Sequence, residues 1–174
     1  MNELIASFAG KHNLPVVLVA AVVETESSGE PWAWNPEPHY RYFWDVKRFK
    51  PFRALSPAES ANERPPADFP CLAGDRDQEW WAQQASWGLM QVMGAVAREH
   101  GCRAPYLPAL CDPVEGLEYG CKHLASLKRR FFAAWGWDGV IASYNAGSVR
   151  HERGQFVNQE YVVKVKRNLN GATL

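Results

Sequence analysis

An almost unbroken apolar run, "LPVVLVAAVV" from Leu14 to Val23, ends in two carboxylates one residue apart, Glu24 and Glu26. The run predicts a helix: Asn13 caps it, Pro15 fits its first turn, and Ser28, Gly29 and Pro31 stop it. Wound at about 100° per residue, that helix puts Glu26 on the stripe of Val19, Val22 and Val23. Glu24 falls about 160° away, with Val17, Ala20 and Ala21. Helical spacing resumes at Trp80, and "QASWGLMQVMGAVAREHG" predicts a helix closed by Gly101. Asp112 followed by Pro113 opens an amphipathic helix through Leu117, Cys121, Leu124 and Leu127. A shorter helix runs from Asp138 to Gly147, and a last one sets Tyr161, Val162 and Val165 on one side. Between the first helix and these, residues 36–84 lose periodicity, because Pro36, Pro38, Pro51, Pro57, Pro65, Pro66 and Pro70 interrupt it. The pattern predicts a mainly α fold, one domain over residues 1–174, with 36–84 as a long irregular insertion carrying at most a small β element.

Charge and composition narrow the partners. Nineteen basic residues balance 19 acidic ones, so no nucleic-acid partner is expected. No stretch reaches the roughly 18 apolar residues of a membrane span, so no membrane insertion is expected, and the chain is read as a monomer. The N-terminal "MNELIASFAGKHNLP" lacks the basic start and cleavage site of an export signal. Arg41, Lys47, Arg48, Lys50 and Arg53 form a candidate local basic face. Eight tryptophans are clustered in "PWAWN", "YRYFWD", "EWWAQQASW" and "AWGWD"; most belong to a core, and the clustering points to a few at a cleft. Cys71, Cys102, Cys111 and Cys121 match no common zinc spacing, so no metal or other cofactor is expected. Buried thiols, or a bridge among the last three, account for them.

Two readings of Glu26 are open at this level. A carboxyl flanked by apolar side chains holds its proton to higher pH and can donate it to a leaving group, as glycosidic cleavage requires. The same residue could simply cap a buried helix through an ion pair or hydrogen bonds.

Several separated segments resemble the soluble lytic transglycosylase family. "ESSGEPWAWN" is similar to its opening motif, in which a catalytic Glu is followed by Ser, Pro and Ala in the register of Glu26, Ser27, Pro31 and Ala33; Glu24 does not fit. "WGLMQVM" resembles the Gly-Leu-Met-Gln-x-Met motif, "ASYNAGS" the Ala-Tyr-Asn-Ala-Gly motif, and "NQEYVVKV" the final Tyr-Val-x-x-Val segment, all in the family's order. The resemblance implies a lysozyme-like helical fold and cleavage of peptidoglycan glycan strands between N-acetylmuramic acid and N-acetylglucosamine. It implies a single Glu, Glu26, acting first as acid and then as base, with the muramoyl C6 hydroxyl attacking C1 to leave a 1,6-anhydro ring. Ser27, Gln91 and Met93 would line the subsites, Tyr144 and Asn145 would hold the sugar, and Tyr161 would position the carboxyl.

Two departures stand out. Asn35 occupies a position where the family usually has Ser, and Val157 and Asn158 replace its Glu-Thr. Residues 36–84 would build one wall of the cleft, with Tyr40, Tyr42, Trp44 or Trp81 as stacking surfaces. The implied setting is a phage or prophage endolysin, made in the bacterial cytoplasm and acting at the wall. A lysozyme-type hydrolase, as in the related goose-type lysozymes, and a catalytically silent glycan-binding virion component are the competing readings.

Overall fold

A computed structural model describes all residues 1–174. In chain order the elements are α1 (Asn2–Lys11), α2 (Val16–Ser27), β1 (Trp34–Pro36), β2 (Trp44–Asp45), β3 (Lys50–Pro51), α3 (Pro57–Ser60), α4 (Arg76–Gln83), β4 (Ala85–Trp87) and β5 (Val92–Met93). They continue with α5 (Gly94–Glu99), a 3-10 turn at Leu107–Cys111, α6 (Pro113–Ala146), β6 (His151–Glu152), β7 (Gln155–Phe156) and α7 (Gln159–Arg167). The fold is mainly α and lysozyme-like, as expected, and no helix is long and apolar enough to cross a membrane. Two compact units divide it: Met1–Gly29 with Gly120–Leu174, and Glu30–Tyr119.

In the first unit the apolar run behaves as its spacing requires. Leu18, Val19, Ala21, Val22 and Val23 are all buried, and they share a core with Ile5 and Ala9 of α1, Leu124, Leu127 and Ile141 of α6, and Val162 and Val165 of α7. Each buried Val, Leu or Ile contributes roughly 1.5–3 kcal/mol relative to exposure, so this packing fixes where α2 ends. Pro15, not Asn13, is the N-cap of α2. Asn13 instead takes a left-handed conformation, φ 54°, in the turn between α1 and α2, a backbone state that asparagine tolerates better than most residues. The two helices expected from Asp112 and Asp138 run on within α6 and are separated only by Gly136, whose φ of 57° and ψ of −161° are open to glycine alone. Arg153 and Gly154, at φ 51° and 82°, make the two-residue turn that pairs β6 with β7 antiparallel.

The second unit departs further from the expected pattern. Residues 80–101 are not one helix: α4 ends at Gln83, β4 and β5 form a hairpin, and only Gly94–Glu99 is helical again. Gly88 explains the break. It sits at φ 70° against the chain at Leu110, where a Cβ would meet the carbonyl oxygen at 2.2 Å. Gln91, at φ 46°, completes the turn. β1, β4 and β5 form one antiparallel sheet in that order, with Asn35 opposite Ser86 and Ser86 opposite Met93.

The proline-rich stretch is less irregular than its sequence, because it carries an aromatic core. Phe43 stacks on Trp80 at 4.1 Å between ring centroids, and Phe69 meets both edge-on. Beside it lies a buried ion pair. Arg98 Nε and Nη2 donate to the two carboxylate oxygens of Glu79 at 2.9 and 2.7 Å, and Nη1 donates to the carbonyls of Cys102 and Ala104. All four cysteines are free thiols, and burial pushes the Cys102 and Cys111 thiols up from their ordinary range.

Both side chains of the Glu79 pair are essentially inaccessible, 1% for Glu79 and 0% for Arg98. Removing one partner therefore strands a buried charge. Arg98→Met is expected to cost about 3–5 kcal/mol of unfolding free energy in urea titration, and Glu79→Met with Arg98→Met to recover most of that loss. A single mutant within 1 kcal/mol of the wild type, roughly the worth of an exposed pair, would show the pair to be structurally idle.

Candidate active site

Glu26 lies in the last turn of α2, one residue before the helix ends. Ser28 stops the helix by turning left-handed, φ 52°, while its N–H bonds back to the Glu24 carbonyl at 3.2 Å. The helical phase separates the two glutamates as its geometry requires: Glu24 is exposed and Glu26 half-buried. The hydroxyl of Tyr161, from α7, donates to Glu26 Oε1. Lys164, one turn further along α7, donates from Nζ to the Thr25 carbonyl at 2.9 Å.

The electrostatics of this corner are graded. Burial is the largest influence on Glu26 and raises its pKa above the carboxylate value of 4.5, while the Tyr161 bond and the Lys164 charge pull the other way. Burial and the neighbouring Glu26 charge also push the Tyr161 and Tyr144 phenols far up. Both stay protonated, so Tyr161 acts as a donor at any working pH. Tyr144 belongs to the Tyr-Asn segment of α6 and lies with its ring 5.3 Å from that of His123.

Next to Tyr161 a pocket of about 430 Å³ is lined by Asn145 and by the stretch from Gln155 to Tyr161. Asn145 lies in the last turn of α6, which stops before Gly147 at φ 71°. Its Oδ1 accepts from Asn158 Nδ2 at 3.0 Å, and the same Nδ2 donates to the Ala142 carbonyl at 2.9 Å. The departure at Asn158 thus has a structural job: it holds the Asn145 amide in one orientation. Ser27, by contrast, turns back on its own helix and donates to the Val23 carbonyl at 3.2 Å.

Asn35, Gln91 and Met93 belong to the second unit. Cross-strand register sets Asn35, Ser86 and Met93 in one row on one sheet face, because directly paired residues share a face. Gln91 joins them from the hairpin turn rather than from a helix. Its Oε1 accepts from Ser86 Oγ at 2.9 Å, and its Nε2 donates to the carbonyls of Ala33 and Gly88 at 3.0 and 2.9 Å. The amide braces the turn that presents this face. Asn35 Nδ2 donates to Glu37 at 2.7 Å.

Of the expected stacking aromatics, Tyr42 donates its hydroxyl to Glu99 at 2.9 Å, and Trp44 is half-buried in β2. Trp81, 45% exposed, instead lines an apolar pocket of about 270 Å³ with Trp34, Pro36 and Pro38. Trp34 alternates with Asn35 along β1 and therefore looks away from the Asn35 row.

Part of the expected basic face at 41–53 is engaged inside its own unit. Arg53 pairs with Glu59 and Asp68 at 2.7 Å each, Arg48 with Asp45 at 3.7 Å, and Arg41 bonds to the carbonyls of Pro38, Tyr40 and Ser60. The balanced total conceals a split. The unit holding Glu26 has ten Lys and Arg against six Asp and Glu, while the other has nine against thirteen. Excess positive charge therefore lies with Glu26, and the sign of each unit could have been counted from the sequence once the boundaries were known. Lys164 and Asn158 left no such mark, because each acts through a contact between distant segments.

No curated protein and no solved structure matches the chain. Residues 3–162, nearly its whole length, match the family model of the transglycosylase SLT domain, and the protein belongs to that family.

Proposed function

We propose that the protein is a peptidoglycan lytic transglycosylase that cleaves the β-1,4 bond between N-acetylmuramic acid and N-acetylglucosamine, with Glu26 as acid and then base. The observation that carries this reading is the state of Glu26: a half-buried carboxyl at the end of a buried helix, holding its proton above the ordinary range while a phenol holds one oxygen in place. Such a group can give a proton near neutral pH and take one back.

In the proposed reaction Glu26 passes its proton to the glycosidic oxygen as the bond to C1 breaks, and the N-acetylglucosamine side leaves with a free 4-hydroxyl. The substrate's acetamido oxygen shields the positive charge at C1. The Glu26 carboxylate then removes the proton from the muramoyl C6 hydroxyl as its oxygen bonds to C1, closing the 1,6-anhydro ring and restoring the acid. One carboxyl suffices for this sequence. Tyr161 would fix the carboxyl, Tyr144 and Asn145 would hold the muramoyl residue, and Asn35, Gln91 and Met93 would line a further sugar site. The excess positive charge of the Glu26 unit suits an anionic wall. The setting we propose is a phage or prophage lysis enzyme acting at the cell wall.

Clearing of purified walls should fall by about 100- to 10,000-fold in Glu26→Gln and stay near wild type in Glu24→Gln. The reverse result would move the acid role to Glu24. Mass spectrometry of the digest should find muramoyl ends one water lighter than reducing ends; reducing ends alone would make the enzyme a hydrolase, and binding without turnover a silent glycan binder.

The pH dependence has a definite sign. Rate is lost on the alkaline side as Glu26 gives up its proton, and the Tyr161 bond favours the charged carboxylate. Tyr161→Phe should therefore move the alkaline limb of kcat/KM to higher pH while lowering the plateau about 10-fold. A limb that stays in place, or moves to lower pH, would exclude Tyr161 as the group holding this carboxyl.

A further inference from the structure

Thr25 and Glu26 are consecutive in the last turn of α2, where backbone carbonyls run out of partners within the helix. Three side chains from the α7 segment meet this turn. Tyr161 donates to Glu26, Lys164 Nζ donates to the Thr25 carbonyl at 2.9 Å, and Asn168 Nδ2 donates to Thr25 Oγ1, also at 2.9 Å. The Thr25 hydroxyl is 2.7 Å from the Ala21 carbonyl and donates to it, so its lone pairs face Asn168. Residues three and four apart share one face of a helix, and one edge of α7 therefore grips two successive residues of α2.

We infer that Lys164 is a positioning residue for the Glu26 carboxyl, its ammonium anchored on the Thr25 carbonyl so that one positive charge stays fixed beside the acid. The inference rests on the reading of Glu26 as acid and base. An untethered lysine on an exposed helix face is a mobile, hydrated charge with little effect on any one neighbour. The bond to Thr25 removes that freedom, and it also caps a carbonyl at the negative end of α2. Burial and the helix end both favour the protonated acid; Lys164 and Tyr161 oppose them. A group that must donate a proton and then recover one from a hydroxyl works best between those extremes. Tyr161 and Lys164 from α7 and Tyr144 from α6 all act on Glu26, and Lys164 brings a positive charge to it.

The pH profile of wall clearing separates positioning by charge from simple bracing. Lys164→Met should move the alkaline limb up by about half a pH unit, because the charged carboxylate loses its cation. Lys164→Gln keeps a donor for Thr25 without the charge and should shift the limb equally, which preserves the test if the Met variant folds poorly. Lys164→Arg should keep the wild-type limb. Asn168→Ala loosens the grip on Thr25 without touching a charge, so it should lower Tm and leave the limb in place. The inference is overturned if neither Lys164→Met nor Lys164→Gln moves the limb, or if Asn168→Ala moves it as far. Wall clearing that persists in Glu26→Gln would instead overturn the parent reading, whatever the Lys164 variants do.

Discussion

A carboxyl placed where a buried helix runs out of internal hydrogen bonds is the constraint on which the first unit turns. Leu18, Val19, Ala21, Val22 and Val23 of α2 are buried, so most of the helix is held by packing. Its end cannot be satisfied the same way, because the last carbonyls need donors and Glu26 needs a partner for whatever charge it carries. α7 supplies both: a phenol to the acid, an ammonium to the preceding carbonyl and an amide to the preceding hydroxyl. Local chain geometry delivers α7 to that place. Gly136 breaks α6 where no other residue would be comfortable, and the Arg153–Gly154 turn folds the β6–β7 hairpin immediately before α7.

The second unit solves a different problem, presenting polar side chains from a short sheet that would be unstable alone. Its two sheet faces are chemically distinct. Asn35, Ser86 and Met93 form one row, while Trp34 pairs with Trp87 on the other at 5.9 Å between rings. Gln91 spends its amide on the turn, which makes the sheet face rigid and removes Gln91 from the set of unpartnered polar groups. Behind the sheet, the Phe43, Phe69 and Trp80 cluster and the Glu79–Arg98 pair give a proline-rich segment a core of its own. A buried pair of this kind adds little stability over an apolar substitute, but it fixes α4 against α5 in one register, since each donor has one acceptor that fits.

Much of the first unit was legible in the sequence because it is built from local signals. The apolar run, its stop at Ser28 and Gly29, the Asp112–Pro113 start and the periodicity of the last helix each act over a few residues, and helical phase alone ranked Glu26 above Glu24. Residues 80–101 depart from the helical pattern for the converse reason. Their spacing suits a helix, and only the approach of the Leu110 carbonyl to Gly88 turns them into a hairpin. Gln91 lies in the same stretch, and its partners at Ala33, beside β1, and at Ser86 in β4 come from segments that only the sheet brings together.

What the sequence by itself determined was the mainly helical fold, the family to which the ordered motifs belong and the single carboxyl on the core stripe. These follow from periodicity, capping chemistry and motif register, all local properties of the chain. The tertiary structure alone decided that Lys164 and Asn168 meet Thr25, that Asn158 holds Asn145, and that Arg53 of the basic run at 41–53 is paired with Glu59 and Asp68. Each of these depends on bringing separate segments within hydrogen-bonding distance, and pairing across such separations leaves no periodic trace in a single sequence.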